Sequence, residues 1–505
     1  MYAIATVALP LFIFLISLLF LTLCYTRKRS RSLLTDWPVF GMLPGLLNNR
    51  ARVFDFVTEI LKQHRGTFFV KGPVFGNMDT MITCDPANIN YILCKNFPNF
   101  GKGPGFKDIF APLGDGIFIA ESELWENQRR LSKSAINHAS FYEFVAAATW
   151  RKLETGLIPI LEHFSDKRMA VDLQDLFKRF TFDCFCITIL GHDPASLSID
   201  LPHLLHEKAF SIAEEAGLYR HLLPGVVWKT QKWLQIGREG KLSRAMEAID
   251  EYISYCISLK HDGQINPVEP DILTSCSKAL AEKGADDPAA NIISKKVLKD
   301  LMLNLIFAGK DTISATLTWL FWLLATNPAE EEKIRNEVAA NSGEPGKWTF
   351  NTTEGMNKLI YLHGAVCEAL RLFPPVAAQH KSPLKDDVLP SGHLIKANTR
   401  TFLIFYSMGR MESIWGEDCL EFKPGRWISK EGRIKVEPAY KFTAFNAGPK
   451  TCLGKDVSFL QMKMAAAAMI SRFKIEVAEG HLVQPSESII LHMRHGLNVK
   501  VSKYA

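Results

Sequence analysis

From about Leu301 to Asn327 the chain is apolar on nearly every face and then meets Pro328, which disfavours helix in the residue before it. At 1.5 Å per residue such a helix spans roughly 40 Å. A helix apolar all round is a buried one, so this segment is expected to run through the core of a domain. Yet it carries Gly309, Lys310, Asp311 and Thr312 in its interior. Glycine weakens a helix interior by about 1 kcal/mol relative to alanine, and buried charges need partners. Local rules broken inside a buried element mark a candidate site.

With 505 residues, 47% of them hydrophobic, the chain has enough apolar surface to bury such an axis. Residues 66 to 84, rich in β-branched and aromatic side chains with glycines, suggest a small sheet, and most of 120 to 380 reads as helices. The expected fold class is mainly α with a minor β part, in one domain without internal repeats. A net charge of +6 with no arginine-rich block fits a membrane surface or an acidic protein partner better than nucleic acid.

Ala3 to Tyr25 form an uncharged apolar run of the length a membrane helix requires. Arg27, Lys28, Arg29 and Arg31 follow at once, which puts that end in the cytosol and makes residues 1–31 a single-pass anchor with its basic stop. A cleaved signal peptide is the alternative. Against it, the run is long, no basic region precedes it and no small-x-small site follows. Trp37 to Gly45, with two prolines and two glycines, reads as a stiff hinge between anchor and domain. The glycosylation sequon at Asn351 is expected to be accidental on a cytosolic domain.

The ten cysteines show no CxxC pair and no framework spacing, so most are expected to be small buried hydrophobes in a reducing compartment. Cys452 differs. It lies in Phe445-Asn446-Ala447-Gly448-Pro449-Lys450-Thr451-Cys452-Leu453-Gly454, just ahead of a helical segment from Lys455 to Phe473. Free backbone N–H groups and the positive helix end favour a thiolate there. Gly448 and Gly454 permit sharp turns and close approach of a flat cofactor, and Phe445 can shield the sulfur. Alone, a Cys-x-Gly before a helix is more often structural than functional.

The segment resembles the haem-binding loop of the cytochrome P450 superfamily, FxxGxRxCxG, with Lys450 in place of the usual arginine. Glu368-Ala369-Leu370-Arg371 resembles the family's ExxR motif, and the resemblance implies a buried lock with Arg426. Position 425, usually glutamate in the family, is glycine here. Ala308-Gly309-Lys310-Asp311-Thr312 is similar to the oxygen-activating AGxDT stretch. Gly309 would let the helix widen, and the Thr312 hydroxyl would hold a water for proton delivery, helped by Asp311. The alternative for Thr312 is a plain back-bond to the i−4 carbonyl. Trp125 with Arg129 matches WxxxR, and these two with Lys450 and His380 would grip the haem propionates. Ala308 stands where covalent haem binders carry glutamate, so covalent attachment is not expected.

By the same resemblance 32–505 is a catalytic domain of the cytochrome P450 fold carrying haem b, its iron held by Cys452. It would sit on the cytosolic side of the endoplasmic reticulum membrane and draw NADPH-derived electrons from a cytochrome P450 reductase. Arg130, Lys133, Lys441 and Lys455 would face that reductase. Lys102 to Phe110, Leu113 to Phe118 and His380 to Pro383 resemble the plant family of mid-chain alkane hydroxylases, which also contains alkaloid phenol-coupling enzymes. Phe106, Ile109, Phe110, Ile117, Phe118, Asn304, Phe307, Ala308, Val376 and Ala377 are the expected substrate residues, mostly apolar as an enclosed pocket would be. A long-chain alkane or fatty-acyl compound needs nothing more. A cationic alkaloid would want a carboxylate, for which Glu214 or Glu215 is the candidate. A haem carrier without turnover and a haem-thiolate isomerase of peroxides are the competing classes. Asp311 and Thr312 speak against both.

Overall fold

A computed structural model describes residues 33–504, other than 75, 77, 203–204, 262–269, 282–287 and 343–351, together with 17 and 18. The anchor expected in residues 1–31 and the sequon at Asn351 therefore lie outside the described residues. Among those described, no helix is long and apolar enough to cross a membrane.

The architecture is mainly helical with a small β part. The strands are β1 (Thr67–Val70), β2 (Thr80–Thr83), β3 (Phe100–Gly101), β4 (Ala170–Asp172), β5 (Ala378–Pro383), β6 (Asp387–Val388), β7 (Leu394–Ile395), β8 (Arg400–Ile404), β9 (Phe473–Val477) and β10 (Asn498–Lys503). The main sheet has the order β1-β2-β8-β5-β3, a triplet orders as β4-β10-β9, and β6 pairs with β7. In the main sheet β2 and β8 run parallel, with Thr80 opposite Arg400. The other pairs are antiparallel, with Phe402 opposite His380 and Ile404 opposite Ala378. Since side chains alternate faces along a strand, Arg400, Phe402 and Ile404 share one face with Thr80, Ile82, His380 and Ala378.

The apolar helix exists and is longer than its hydrophobic stretch announces, running from Pro288 to Thr326. Its N-terminal extension carries Lys296 on the surface, so a criterion of apolarity on every face finds only the part that crosses the core. Helix Leu173–Phe185 packs along it. Trp319 stacks on Phe373 at 3.9 Å and donates to the Leu491 carbonyl at 2.6 Å. The helix stays α-helical through Gly309, without the widening expected there. Glycine serves packing instead: a Cβ would lie 2.0 Å from the Phe185 ring.

A second apolar core fills the space between the main sheet and helix Val53–Gln63. The expected hinge at Trp37–Gly45 is docked, not free. Met42 N–H donates to Lys71 O at 2.8 Å and Val74 N–H to Val39 O at 3.1 Å.

Candidate active site

Cys452 sits in the loop between the short turn Gly448–Lys450 and helix Lys455–Ile470. Its N–H donates to Phe445 O at 2.8 Å, closing the loop. Gly448 adopts φ +67°, and a Cβ there would lie 2.0 Å from Leu93 O. The glycine is required by the protein backbone beside it. Of the nine described cysteines, Cys452 alone is exposed, and what exposes it is an internal cavity of about 560 Å³. Burial raises its thiol above the ordinary range, opposed by the Gly454 N–H and by the Arg129 and Lys455 cations.

Two elements pin this loop. Helix Ser122–Ile136 places Trp125 and Arg129 one turn apart on the cavity wall, and Arg129 Nη2 donates to Thr451 O at 2.8 Å. Lys450 Nζ donates to Ala120 O at 3.2 Å and lies 4.7 Å from the Trp125 ring. Behind the loop, Glu368 on helix Ile360–Leu372 accepts from Arg371 Nε and Nη2 (2.8 and 2.7 Å), Arg426 Nε (3.2 Å), Trp427 Nε1 (2.8 Å) and Lys423 N (3.1 Å). Arg371 also donates to Cys419 O and Glu421 O. A buried ion pair is favourable only when its remaining lone pairs and protons are satisfied, and here they are. Gly425 faces open space where a Cβ would stand, so packing does not require glycine there.

The family model for "Cytochrome P450" matches residues 32–501. The chain belongs to the cytochrome P450 family. Among its relatives are "Alkane hydroxylase MAH1" of Arabidopsis thaliana, 41% identical over 97% of this chain and 98% of that one, and "Noroxomaritidine synthase" of Narcissus aff. pseudonarcissus MK-2014, 40% identical over 96% and 94%. "Cytochrome P450 86B1" of Arabidopsis thaliana is 38% identical over 94% and 86%. The chain is thus a cytochrome P450 monooxygenase, and membership implies a haem-thiolate iron.

The residues present fit that group. Arg129 and Lys450 line the cavity beside the only exposed thiol among the described residues. Two further buried cations, Lys102 and Lys381, have no carboxylate within ion-pair distance among the described residues. Burial lowers Lys102 well below the usual lysine range, helped by Lys450 and Lys381, and pushes Lys381 and Lys450 down to about 8. A patch of dehydrated basic side chains, with the Glu121 carboxylate offsetting only part of their mutual repulsion, is what the carboxylates of a haem would complete. His380 is buried on β5, lines the cavity and leaves Nδ1 unpaired.

Most of the residues expected in this cytochrome P450 from sequence do line the cavity: Phe445, Gly454, Phe106, Phe110, Ile117, Phe118, Asn304, Phe307, Ala308, Thr312 and Val376. Four do not. Ala377 is turned into a small cluster with Tyr406 and Leu491, and Ile109 is packed in the main core. Gly448 supports the loop from behind. Asp311 is wholly buried on the other side of the long helix, because successive helical side chains diverge by about 100°. Its carboxylate pairs with Lys310 Nζ at 2.6 Å, and His492 bridges Asp311 (3.8 Å) and Glu214 (3.1 Å). Burial would raise Asp311, but the Lys310 ammonium overcomes it and holds the carboxyl below its usual range. Glu214 goes the other way, raised by burial and by Asp311.

Thr312 Oγ1 donates to Ala308 O at 2.8 Å, the back-bond geometry, yet the side chain lines the cavity. The donated proton fixes the rotamer and leaves the oxygen lone pairs free to accept. Asn304 corrects its expected role. Its Oδ1 accepts from Phe118 N at 3.0 Å, and its Nδ2 donates to Leu113 O and Asp300 O at 2.8 and 2.7 Å. With its amide consumed, it clamps the loop that presents Ile117 and Phe118. Of the expected alkaloid carboxylates, Glu214 is locked away with His492 and Glu215 is exposed outside.

Sequence reasoning missed Lys102, Lys381, Arg400 and Phe402 as site residues. A KGPG turn flags Lys102 only as a loop. Lys381 directly follows His380 but lies on the other face of β5 and does not line the cavity, whereas Arg400 and Phe402 are far from every motif and meet the cavity through the sheet.

Proposed function

We propose that this cytochrome P450 hydroxylates a long alkyl chain, that of an alkane or a fatty-acyl compound. The observation that carries this is the composition of the cavity wall: aromatic and aliphatic side chains dominate, and no aspartate or glutamate lines it among the described residues. An amine would enter as a cation with nothing to pair it, whereas an alkyl chain needs only dehydrated apolar contact.

In this reading Cys452 would ligate haem b, while Trp125, Arg129, Lys450 and His380, joined by Lys102, would hold its propionates. The bound haem supplies activation of dioxygen, helped by electron density from the thiolate. The chain supplies the rest. Phe106, Phe110, Phe118 and Phe307 exclude bulk water and confine the chain. Ala308 adds little bulk to the cavity wall beside Thr312, whose oxygen would accept a hydrogen bond from water there and position a proton source. Asp311, held ionised by Lys310 behind that wall, keeps a fixed negative charge next to Thr312 in the chain. Electrons come from NADPH through a reductase, which meets the exposed Arg130, Lys133 and Lys455 near the thiolate loop. Lys441 contributes less, being paired with Glu437 at 3.0 Å. Residues 1–31 anchor 32–505 to the endoplasmic reticulum membrane.

The test is reconstitution with NADPH and a cytochrome P450 reductase, offering an alkane, a fatty acid and a phenolic amine, with product masses read. Alkyl products gaining one oxygen are expected. Loss of two hydrogens from the phenolic amine, with no alkyl product, would instead establish oxidative coupling.

A further inference from the structure

One charged side chain on the cavity wall is left over after the cations around the thiolate loop are accounted for. Lys102, Lys381, Lys450 and Arg129 perturb one another and form one patch. Arg400, at the start of β8, is not among the groups that perturb those four, although it acts with Lys102 and Lys381 on His380. Its Nη2 donates to His221 O at 3.0 Å, at the end of helix Leu205–Leu222, and its guanidinium lies 5.6 Å from the Phe402 ring. No carboxylate approaches it within ion-pair distance among the described residues, and its Nε is buried without a partner. Burial alone pushes it down to about 10, so it is charged at neutral pH.

A guanidinium taken out of water without a counter-ion is costly, and a buried unpaired Nε–H adds to that cost. Arg400 is also placed where a ligand can reach it. Its side chain is on the cavity face of the main sheet, in the row Val70–Thr80–Arg400. The next residue after Val70, Lys71, is exposed and paired with Asp36 at 2.8 Å. Arg400 thus marks the end of the sheet face nearer solvent. From there Phe402 and Ile404 continue the wall inward as an apolar track.

We propose that Arg400 is the specificity residue of this enzyme and binds the carboxylate of a long-chain fatty acid, whose alkyl chain lies along the Phe402–Ile404 track towards the haem. This rests on the alkyl reading above and deepens it. A planar guanidinium matches a carboxylate, and only one of its Nη donors is taken, by His221 O. The acid is thereby distinguished from an alkane or an ester of the same length.

The test is calorimetric binding of dodecanoate, methyl dodecanoate and dodecane to the full-length haem-loaded protein and to its Arg400→Gln and Arg400→Lys variants, with haem content measured in each. Dodecanoate is expected to bind wild type at least about tenfold more tightly than the ester, the weight of one charged hydrogen bond. Arg400→Gln is expected to bring the acid to the level of the ester, leaving ester affinity and haem content unchanged. Arg400→Lys, which keeps the charge but not the fork, falls between. Equal affinity of acid and ester for wild type overturns the proposal while leaving the alkyl reading intact. Failure of all three ligands to bind wild type removes both. Loss of haem in both variants also overturns it, because Arg400 would then belong to the propionates.

Discussion

Thr312 shows how one side chain can satisfy a helix and a reaction at once. Its proton goes to Ala308 O, so the oxygen is oriented before any water arrives. Thr312→Ala is expected to leave haem content and ligand binding nearly intact, and to change stability by no more than about 1 kcal/mol. Product formed per NADPH should fall roughly tenfold or more, within the range of positioned acid–base groups, with peroxide rising in its place. Measured together, unchanged coupling would reduce Thr312 to packing. Asp311 is a different case, since its carboxylate faces Lys310 and both side chains are wholly buried. Asp311→Asn leaves a buried ammonium with Glu207 at 3.8 Å as its remaining acidic partner within ion-pair distance. It is expected to cost about 3–5 kcal/mol. The double variant with Lys310→Met should recover most of that. Thermal midpoints of the two variants decide it, and equal loss in both would mean the pair is not coupled.

At the scale of elements, the helix Ile360–Leu372 holds the ExxR lock on one side and packs on helix Lys455–Ile470 on the other. His363 stacks on Phe459 with ring centroids 4.3 Å apart. Burial pushes His363 down to about 4, with Lys463 and Lys455 adding to it. The unfolded chain, with its ordinary histidine value near 6.5, therefore binds more protons than the folded one between pH 6.5 and 4. Stability is undiminished above pH 6.5 and falls as pH drops through that window, by at most about 1.4 kcal/mol per pH unit for one histidine. Below pH 4 this contribution is constant. His363→Phe keeps the stack and should flatten the acid limb by up to that slope. Chemical unfolding at pH 5 and pH 7 measures it, and an unaltered slope would show that His363 is solvated. The element boundaries themselves followed local rules. The long helix ends at Thr326 before Pro328, and it begins earlier than expected because its N-terminal part carries the exposed Lys296 and so lacks an all-round apolar pattern.

For the whole molecule, the exposed apolar residues are not scattered evenly. Val226 and Trp233 are 65% and 81% exposed, on either side of Lys229 and Thr230, and share a surface recess with Gly76, near the 82% exposed Val74. Large apolar side chains held out in water together mark a candidate membrane contact. Deleting residues 1–31 is therefore expected to release the protein from membranes only in part, with haem binding retained, as flotation and the absorbance spectrum would show. Complete release on truncation would assign all of the attachment to the N-terminal segment. Loss of haem would make that segment part of the core.

Cys452, the Glu368–Arg371–Arg426 lock, Trp125 with Arg129, and Thr312 were singled out by their resemblance to family motifs. Local geometry alone offered a cysteine just ahead of a helix and partners one helical turn apart, while Arg426 meets Glu368 from 58 residues away. The sequence also determined the buried axis and the division into a helical bulk and a minor sheet, since periodicity and turn residues act locally. What only the tertiary structure decided is where side chains point when their surroundings come from elsewhere. Asp311 left the cavity because a buried carboxylate goes to its counter-ion, and Lys310 lies on that side. Asn304 became a clamp because the Phe118 N–H and Leu113 carbonyl needed partners. Arg400 joined the cavity because β8 pairs with β2 and β5, strands more than 300 and about 20 residues away in the chain, and that pairing chooses the face on which a guanidinium must wait without a partner.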